Sequence, residues 1–189
     1  MHTTALFQQD NAPWGIARLS STASFAGQNP NSLDFKYAFE DAPGLGTEAF
    51  VIDTGCRVDH IDFGGRANFI GSFGRGIPNQ DANGREYIVH LGRQTNTPLT
   101  LRIDGTHVAG TVGGNVFGVA KNATLNCIKV MADDGSGATS DIISGISLAS
   151  TRALASGKPS VISMSLGGPV NRALDQTVRI FPSPSPDSP

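Results

Sequence analysis

The chain is organised around the stretch Phe50-Val51-Ile52-Asp53-Thr54-Gly55, an apolar run that ends on a carboxylate and a turn. An apolar run bounded by Asp-Thr-Gly is typical of a buried strand. In open α/β sheets the carboxyl ends of the strands face the crevice that receives ligands. Asp-Thr-Gly by itself favours only a tight turn closing a core strand. The motifs elsewhere in the chain make Asp53 a candidate functional acid.

Composition limits the class of protein. The chain has 189 residues, of which 39% are hydrophobic, so it is long enough for one globular core. Its net charge is −2 and its charges are interspersed, which predicts neither a basic face for nucleic acid nor a cationic helix for a membrane. The first five residues lack the pattern of a secretory signal, so the chain taken literally would stay in the cytosol. Cys56 and Cys127 are equally compatible with one disulfide or two buried thiols.

Periodicity predicts strands that alternate with helices. Helices are predicted over 16–19, 105–114, 141–156 and 171–179, and strands over 33–39, 49–52, 68–73, 116–120, 125–131 and 161–166. Thr139 or Ser140 is placed to cap the third helix, and Gly157 to end it. This alternation is typical of βαβ units around a parallel sheet, which is an α/β fold. The proline-serine tail at 182–189 is predicted to be disordered.

Four blocks in this order carry a resemblance to a known family. They are Asn11-Ala12-Pro13-Trp14-Gly15, Val51-Ile52-Asp53-Thr54-Gly55, Gly105-Thr106-His107-Val108-Ala109-Gly110-Thr111 and Ser163-Met164-Ser165-Leu166-Gly167-Gly168. Together they resemble the subtilisin-like serine proteases, most closely the proteinase K branch. The resemblance covers the chain from Gln9 to about Val178, apart from 85–104. It implies a three-layer α/β fold with a mostly parallel central sheet flanked by helices, of which the C-terminal part would be missing.

The resemblance also implies a site and a substrate. Asp53 matches the orienting acid of a Ser-His-Asp triad. The backbone segments that would grip an extended peptide as an added strand match Gly135, Ser136 and Gly137 on one side and Ser165, Leu166 and Gly167 on the other. The expected substrate is a peptide or protein. Family members are usually secreted and stabilised by calcium, but the sequence supports no metal site or other cofactor here, since only Thr22 matches a position near a family calcium site.

Two departures from the family predict that the chain is inactive as given. The motif His-Gly-Thr-His-Val-Ala-Gly has its catalytic base at the first histidine, and that position holds Asp104. His107 matches the second histidine, which is a structural neighbour of the base. An aspartate cannot relay a proton as imidazole does. The family's serine and oxyanion-hole asparagine follow the Ser-Leu-Gly-Gly block, and this chain ends soon after it. We therefore expect residues 1–181 to be a partial peptidase domain.

Residues 85–104 interrupt the third motif. Replacing them with one histidine restores the family pattern, because residues 81–84 would then run into His-Gly-Thr-His. One hypothesis is a translated intron. Arg85 admits a codon that contains a GT donor, and the codons of Ile103 and Asp104 can together contain an AG acceptor. Removing the nucleotides between them would leave a histidine codon. The other is a true insertion.

Two other functions are compatible with parts of the sequence. A pseudoenzyme would keep the peptide cleft and use it for binding. An unrelated nucleotide-binding α/β domain would need a Gly-x-Gly-x-x-Gly motif after its first strand, and Asp53-Thr54-Gly55-Cys56 does not begin one.

Overall fold

A computed structural model describes residues 6–74, 105–132 and 134–181. In chain order its strands are β1 (Leu6–Ala12), β2 (Phe35–Glu40), β3 (Glu48–Asp53), β4 (Ala67–Ser72), β5 (Thr124–Lys129) and β6 (Ser160–Ser163). Its α-helices are α1 (Trp14–Ala17), α2 (Gly105–Gly113), α3 (Thr139–Ser156) and α4 (Arg172–Arg179). Asp104, the interruption at 85–104 and the tail at 182–189 lie outside the described residues.

The central sheet of the described residues has four parallel strands in the order β4-β5-β3-β6. Strand β3 lies between two partners, and all of its residues are buried. Side chains alternate along it, so Ala49 and Val51 pack in one cluster while Phe50 and Ile52 pack in another. The first cluster contains Ala109 of α2 and the second contains Ile146 of α3. The predicted three-layer α/β fold is therefore confirmed.

Helix α3 covers the predicted range 141–156 but begins earlier, at Thr139. A Cβ on Gly145 would meet Val130 Cγ1 at 2.6 Å, so the small residue lets the helix pack close to the sheet. The helix ends at Gly157, whose φ of 65° is the left-handed C-cap conformation. The predicted cap at Thr139 or Ser140 is wrong, because both lie inside the helix. Ala138 is the N-cap residue and provides no side-chain hydrogen bond.

A two-stranded antiparallel sheet packs beside this core. It joins β1 to β2, and its buried residues form a third cluster that includes Ile16, Phe35 and Tyr37. The sequence did not predict β1. The strand predicted over 116–120 is wrong, because this segment forms turns in which the N–H of Gly118 donates to the carbonyl of Gly114 at 3.0 Å.

The two cysteines form a disulfide that joins the turn after β3 to β5. Cys56 and Cys127 have Cα atoms 5.9 Å apart and are both buried. The bridge crosses the first cluster, so it ties the Asp53 turn to the neighbouring strand. None of the helices in the described residues combines the length and the apolar character that crossing a bilayer requires.

Candidate active site

Asp53 is the last residue of β3 and is only 1% exposed. Its carboxylate Oδ1 accepts the N–H of Thr54 at 2.7 Å. Its carbonyl accepts the N–H of Val130 at 2.9 Å, in the turn that leaves β5. Because strands lie on both sides of β3, the backbone around the carboxylate is fixed, and the acid is held at the carboxyl edge of the sheet.

Helix α2 begins against the turn that carries this acid. The N–H of Gly105 donates to Thr54 Oγ1 at 3.1 Å. A Cβ on Gly105 would lie 3.0 Å from Asp53 Cβ and would collide with the carbonyl oxygen of Gly55. The N–H of Arg57 donates to Thr106 Oγ1 at 2.9 Å and holds the next residue of the helix. The fold therefore brings the motif at 51–55 and the motif at 105–111 together at Asp53.

His107 is exposed on the same helix, two residues beyond Gly105. The resemblance gave His107 no catalytic role, and this stays a prediction. The residue that occupies the family's base position, Asp104, lies outside the described residues, so the structure places only the segment that follows it.

Lys129 is a component of this site that sequence reasoning missed. It is the last residue of β5, pairs in register with Asp53 and is 0% exposed. Its ammonium donates to the carbonyl oxygen of Thr54 at 2.5 Å. A buried ammonium requires such partners, because the loss of hydration is otherwise costly. The available signal was a single lysine inside the apolar run 125–131.

The two segments expected to hold a peptide follow β5 and β6, the neighbours of β3. Gly135, Ser136 and Gly137 are exposed in a turn in which Gly135 has a φ of 82°. The N–H of Ser136 donates to Asp134 Oδ1 at 2.8 Å. Because strands in a parallel sheet end at the same edge, this turn lies on the β5 side of Asp53.

The second segment lies on the β6 side. The predicted strand over 161–166 ends early, at Ser163, and the chain beyond it leaves the sheet. Ser165 and Gly167 are exposed, whereas Leu166 packs in the cluster that contains Met131. Nothing lies within 4 Å of a Cβ built on Gly167, so this segment borders open space.

The described residues do not offer a calcium site built from carboxylates. No group of three or more His, Cys, Asp or Glu side chains in that part of the chain could hold a metal ion. Thr22, the position that matches the neighbourhood of a family calcium site, is exposed.

Comparison with known proteins places these features in a family. Residues 47–183 match the subtilase family. Proteinase T of Parengyodontium album is 38% identical over 170 residues, which cover 89% of this chain and 49% of that protease. Subtilisin-like serine protease Pen ch 18 of Penicillium rubens is 37% identical over 177 residues, covering 90% of this chain and 31% of the relative.

Solved structures of similar proteins also match this chain. The crystal structure of a cold adapted subtilisin-like serine proteinase matches with a TM-score of 0.66 and 34% identity, over 89% of this chain and 51% of that one. Sphericase matches with a TM-score of 0.56 and 30% identity, over 72% of this chain and 42% of its own. The parallel sheet flanked by helices is the α/β fold that these subtilisin-like structures share. The chain belongs to the subtilase family, and it spans about half or less of the length of these relatives.

Proposed function

We propose that the full-length form of this protein, with a histidine in place of residues 85–104, is a serine endopeptidase in which Asp53 is the orienting acid. The observation that carries the proposal is the position of Asp53. It is buried at the carboxyl end of β3 and joined through Thr54 to the first described residue of α2. In a subtilase the catalytic histidine directly precedes this helix, so the carboxylate would lie beside the imidazole.

In such a site the carboxylate accepts the Nδ1 proton of the imidazole. This hydrogen bond sets the tautomer in which Nε2 can take a proton from the serine hydroxyl. Asp53 stays ionised and stabilises the imidazolium that forms. Its burial supports this role, because a fixed carboxylate in a low dielectric interacts strongly with a neighbouring cation.

The expected substrate is an extended peptide bound between the two exposed segments. Gly135 and Gly167 carry no side chain, and a Cβ at either would meet no atom within 4 Å. These segments support binding through backbone hydrogen bonds, with space left for alternate substrate side chains.

The chain as written is proposed to be inactive. The residue before Gly105 is Asp104, and a carboxylate there would repel Asp53 and could not relay a proton. We propose further that 85–104 is an insertion into the peptidase domain. If it is a translated intron, genomic sequence at Arg85 will contain a GT donor and spliced transcripts will lack the segment.

A chimaeric protein tests the proposal. The chain is joined after Gly168 to the part of proteinase T that follows the same block, with residues 85–104 replaced by one histidine. We expect this protein to hydrolyse casein and to be inhibited by a serine-directed fluorophosphonate. The same chimaera with 85–104 retained should be inactive.

The role of Asp53 is tested in the active chimaera. Asp53→Asn should lower kcat by about 10⁴-fold, because the imidazole would adopt the wrong tautomer. Asp59→Asn is the matched control, since Asp59 is an exposed carboxylate that pairs with Arg57. Equal activity of the Asp53→Asn protein and its parent would overturn the assignment.

A binding experiment on the 189-residue chain distinguishes an inactive fragment from a peptide-binding pseudoenzyme. If the chain is a pseudoenzyme, calorimetry with casein-derived peptides will show saturable binding without hydrolysis. Gly167→Trp should then abolish binding by filling the open space beside the segment.

We also propose that the protein is secreted. The Cys56–Cys127 disulfide supports this, because disulfides persist in oxidising compartments and are rare in the cytosol. Thiol labelling of the natural protein under denaturing conditions is expected to modify neither cysteine unless it is first reduced.

A further inference from the structure

One short motif lies outside the proposed active site. Asn122-Ala123-Thr124 has the form Asn-x-Ser/Thr with a residue other than proline in the middle, which is the acceptor triplet for N-linked glycosylation. It is the only triplet of this form among the 189 residues. Any N-linked glycan attached at such a triplet of this chain must therefore be on Asn122.

The triplet lies in the turn that leads into β5. Asn122 precedes the strand by two residues and is exposed. Its two neighbours are turned towards the protein, because Lys121 Nζ donates to the carbonyl of Gly118 at 2.8 Å and Ala123 is only 1% exposed. The turn therefore presents Asn122 to solvent between two anchored residues.

Backbone hydrogen bonds hold this turn against the loop before β3. The N–H of Asn122 donates to the carbonyl of Pro43 at 2.8 Å, and the N–H of Thr124 donates to the carbonyl of Thr47 at 3.0 Å. The side-chain amide of Asn122 forms no hydrogen bond within the part of the chain that the structure describes. The nitrogen to which a glycan is joined is thus accessible, and attaching one there breaks no contact.

The disulfide connects this triplet with the compartment in which glycans are added. Cys127 lies on β5, three residues after Thr124, and is bridged to Cys56. Disulfides form in the lumen of the endoplasmic reticulum, where N-linked glycans are also attached to secreted proteins. A chain that acquires this bridge during secretion therefore also meets the glycosylation machinery.

We propose that Asn122 carries an N-linked oligosaccharide, an inference that rests on the proposed secretion of the protein. The amide nitrogen of Asn122 attacks C1 of an oligosaccharide that is carried on a lipid diphosphate. A bond forms between this nitrogen and C1, and the bond between C1 and the diphosphate oxygen breaks. The nitrogen loses one proton as the lipid diphosphate leaves. The product is a bulky, solubilising group on the surface.

The glycan lies at the edge of the sheet opposite the candidate active site. Thr124 begins β5 and Lys129 ends it, in register with Asp53. At the ordinary rise of a strand these two ends are about 16 Å apart. The amino edge of the sheet carries Asn122, whereas the carboxyl edge carries Asp53 and the proposed peptide-binding segments. A glycan on Asn122 therefore leaves the proposed cleft open.

The test is secretion of the 189-residue chain from a eukaryotic expression host, directed by an added signal peptide. Peptide N-glycosidase should lower the mass of the secreted protein and convert Asn122 to aspartate, which peptide mass spectrometry locates. Asn122→Gln and Thr124→Ala should abolish the mass shift. Thr124→Ser preserves the triplet and should keep the shift. Asn31→Gln, at an exposed asparagine outside any triplet, should also keep it.

Protein retained in the cells is digested in the same way, so a variant that folds too poorly to be secreted still reports on its glycan. The proposal is overturned if the chain enters the secretory pathway and forms its disulfide but carries no glycan, or if Thr124→Ala keeps the mass shift. Thiol labelling of the natural protein tests secretion separately. Free cysteines there would overturn the proposed secretion, whatever the expression host attaches to Asn122.

Discussion

The backbone N–H of Gly105 donates to Thr54 Oγ1 at 3.1 Å, which fixes the first described residue of α2 beside the turn that follows Asp53. Thr54 also donates its own N–H to Asp53 Oδ1 and accepts Lys129 Nζ on its carbonyl. One threonine therefore contacts the candidate acid, the helix that follows the family's base position and the buried lysine of β5. The Asp-Thr-Gly turn therefore connects these three parts of the candidate active site.

Gly105→Ala should lower the free energy of unfolding by about 1–3 kcal/mol, because the new methyl group would collide with the Gly55 carbonyl. Urea denaturation measures the change. Gly110→Ala on the same helix is the control, since a Cβ there meets nothing within 4 Å and should stabilise the protein by up to about 1 kcal/mol. Equal effects at the two glycines would contradict the contact.

Lys129→Met should destabilise the fold by about 1–3 kcal/mol, because the carbonyl of Thr54 would lose a partly buried hydrogen bond to an ammonium. Lys36→Met, at an exposed lysine whose side chain is 69% accessible, should change the free energy of unfolding by less than about 0.5 kcal/mol. Urea titration of both variants provides the measurement. A Lys129→Met protein as stable as the Lys36→Met protein would show that Lys129 is dispensable.

Reduction of the Cys56–Cys127 disulfide should cost about 2–4 kcal/mol, since the bridge closes a sequence separation of 71 residues and so constrains the unfolded chain. Denaturation with and without dithiothreitol measures the difference. A protein with Cys56→Ser and Cys127→Ser should resemble the reduced parent and should not respond to dithiothreitol. A response in that double variant would assign the effect to something other than the bridge.

Alkaline pH should destabilise the protein through Tyr37. Burial raises the pKa of this phenol above its ordinary value of about 10. In the unfolded chain the phenol ionises at about pH 10, whereas in the folded protein it keeps its proton to higher pH. The stability that this difference supplies is present below pH 10 and is lost as pH rises through the raised pKa.

Tyr37→Phe carries no phenol at this position, so its free energy of unfolding should fall less steeply above pH 10. Urea denaturation at a series of alkaline pH values compares the two proteins, and absorbance at the tyrosinate band follows the ionisation directly. Identical slopes for the parent and the variant would contradict the prediction.

The main sheet was predictable because its strands are apolar runs. Strand β3 was expected over 49–52 and extends by one residue at each end, to Glu48 and Asp53. Gly157 was a reliable stop signal for α3 because only a residue that tolerates a positive φ is suited to that position.

Other elements depended on contacts that no local pattern contains. Strand β1 is largely polar and mostly exposed, and it exists through its pairing with β2. The segment 116–120 is an apolar run like that of a strand, but the N–H of Gly118 bonds to the carbonyl of Gly114 and closes a turn in which a Cβ at position 118 would collide with the backbone. Lys129 was missed because its partner, Thr54, is brought to it only by the register of β3 and β5.

The chain on either side of the stretch between Gly74 and Gly105 is held in place by a separate hydrogen bond. On one side the N–H of Phe73 donates to the carbonyl of Lys129 at 2.9 Å, and on the other the N–H of Gly105 donates to Thr54. The entropy of closing a loop grows only slowly with its length. We therefore expect that sequences of different length can be exchanged between these two ends with little effect on the position of the Asp53 turn.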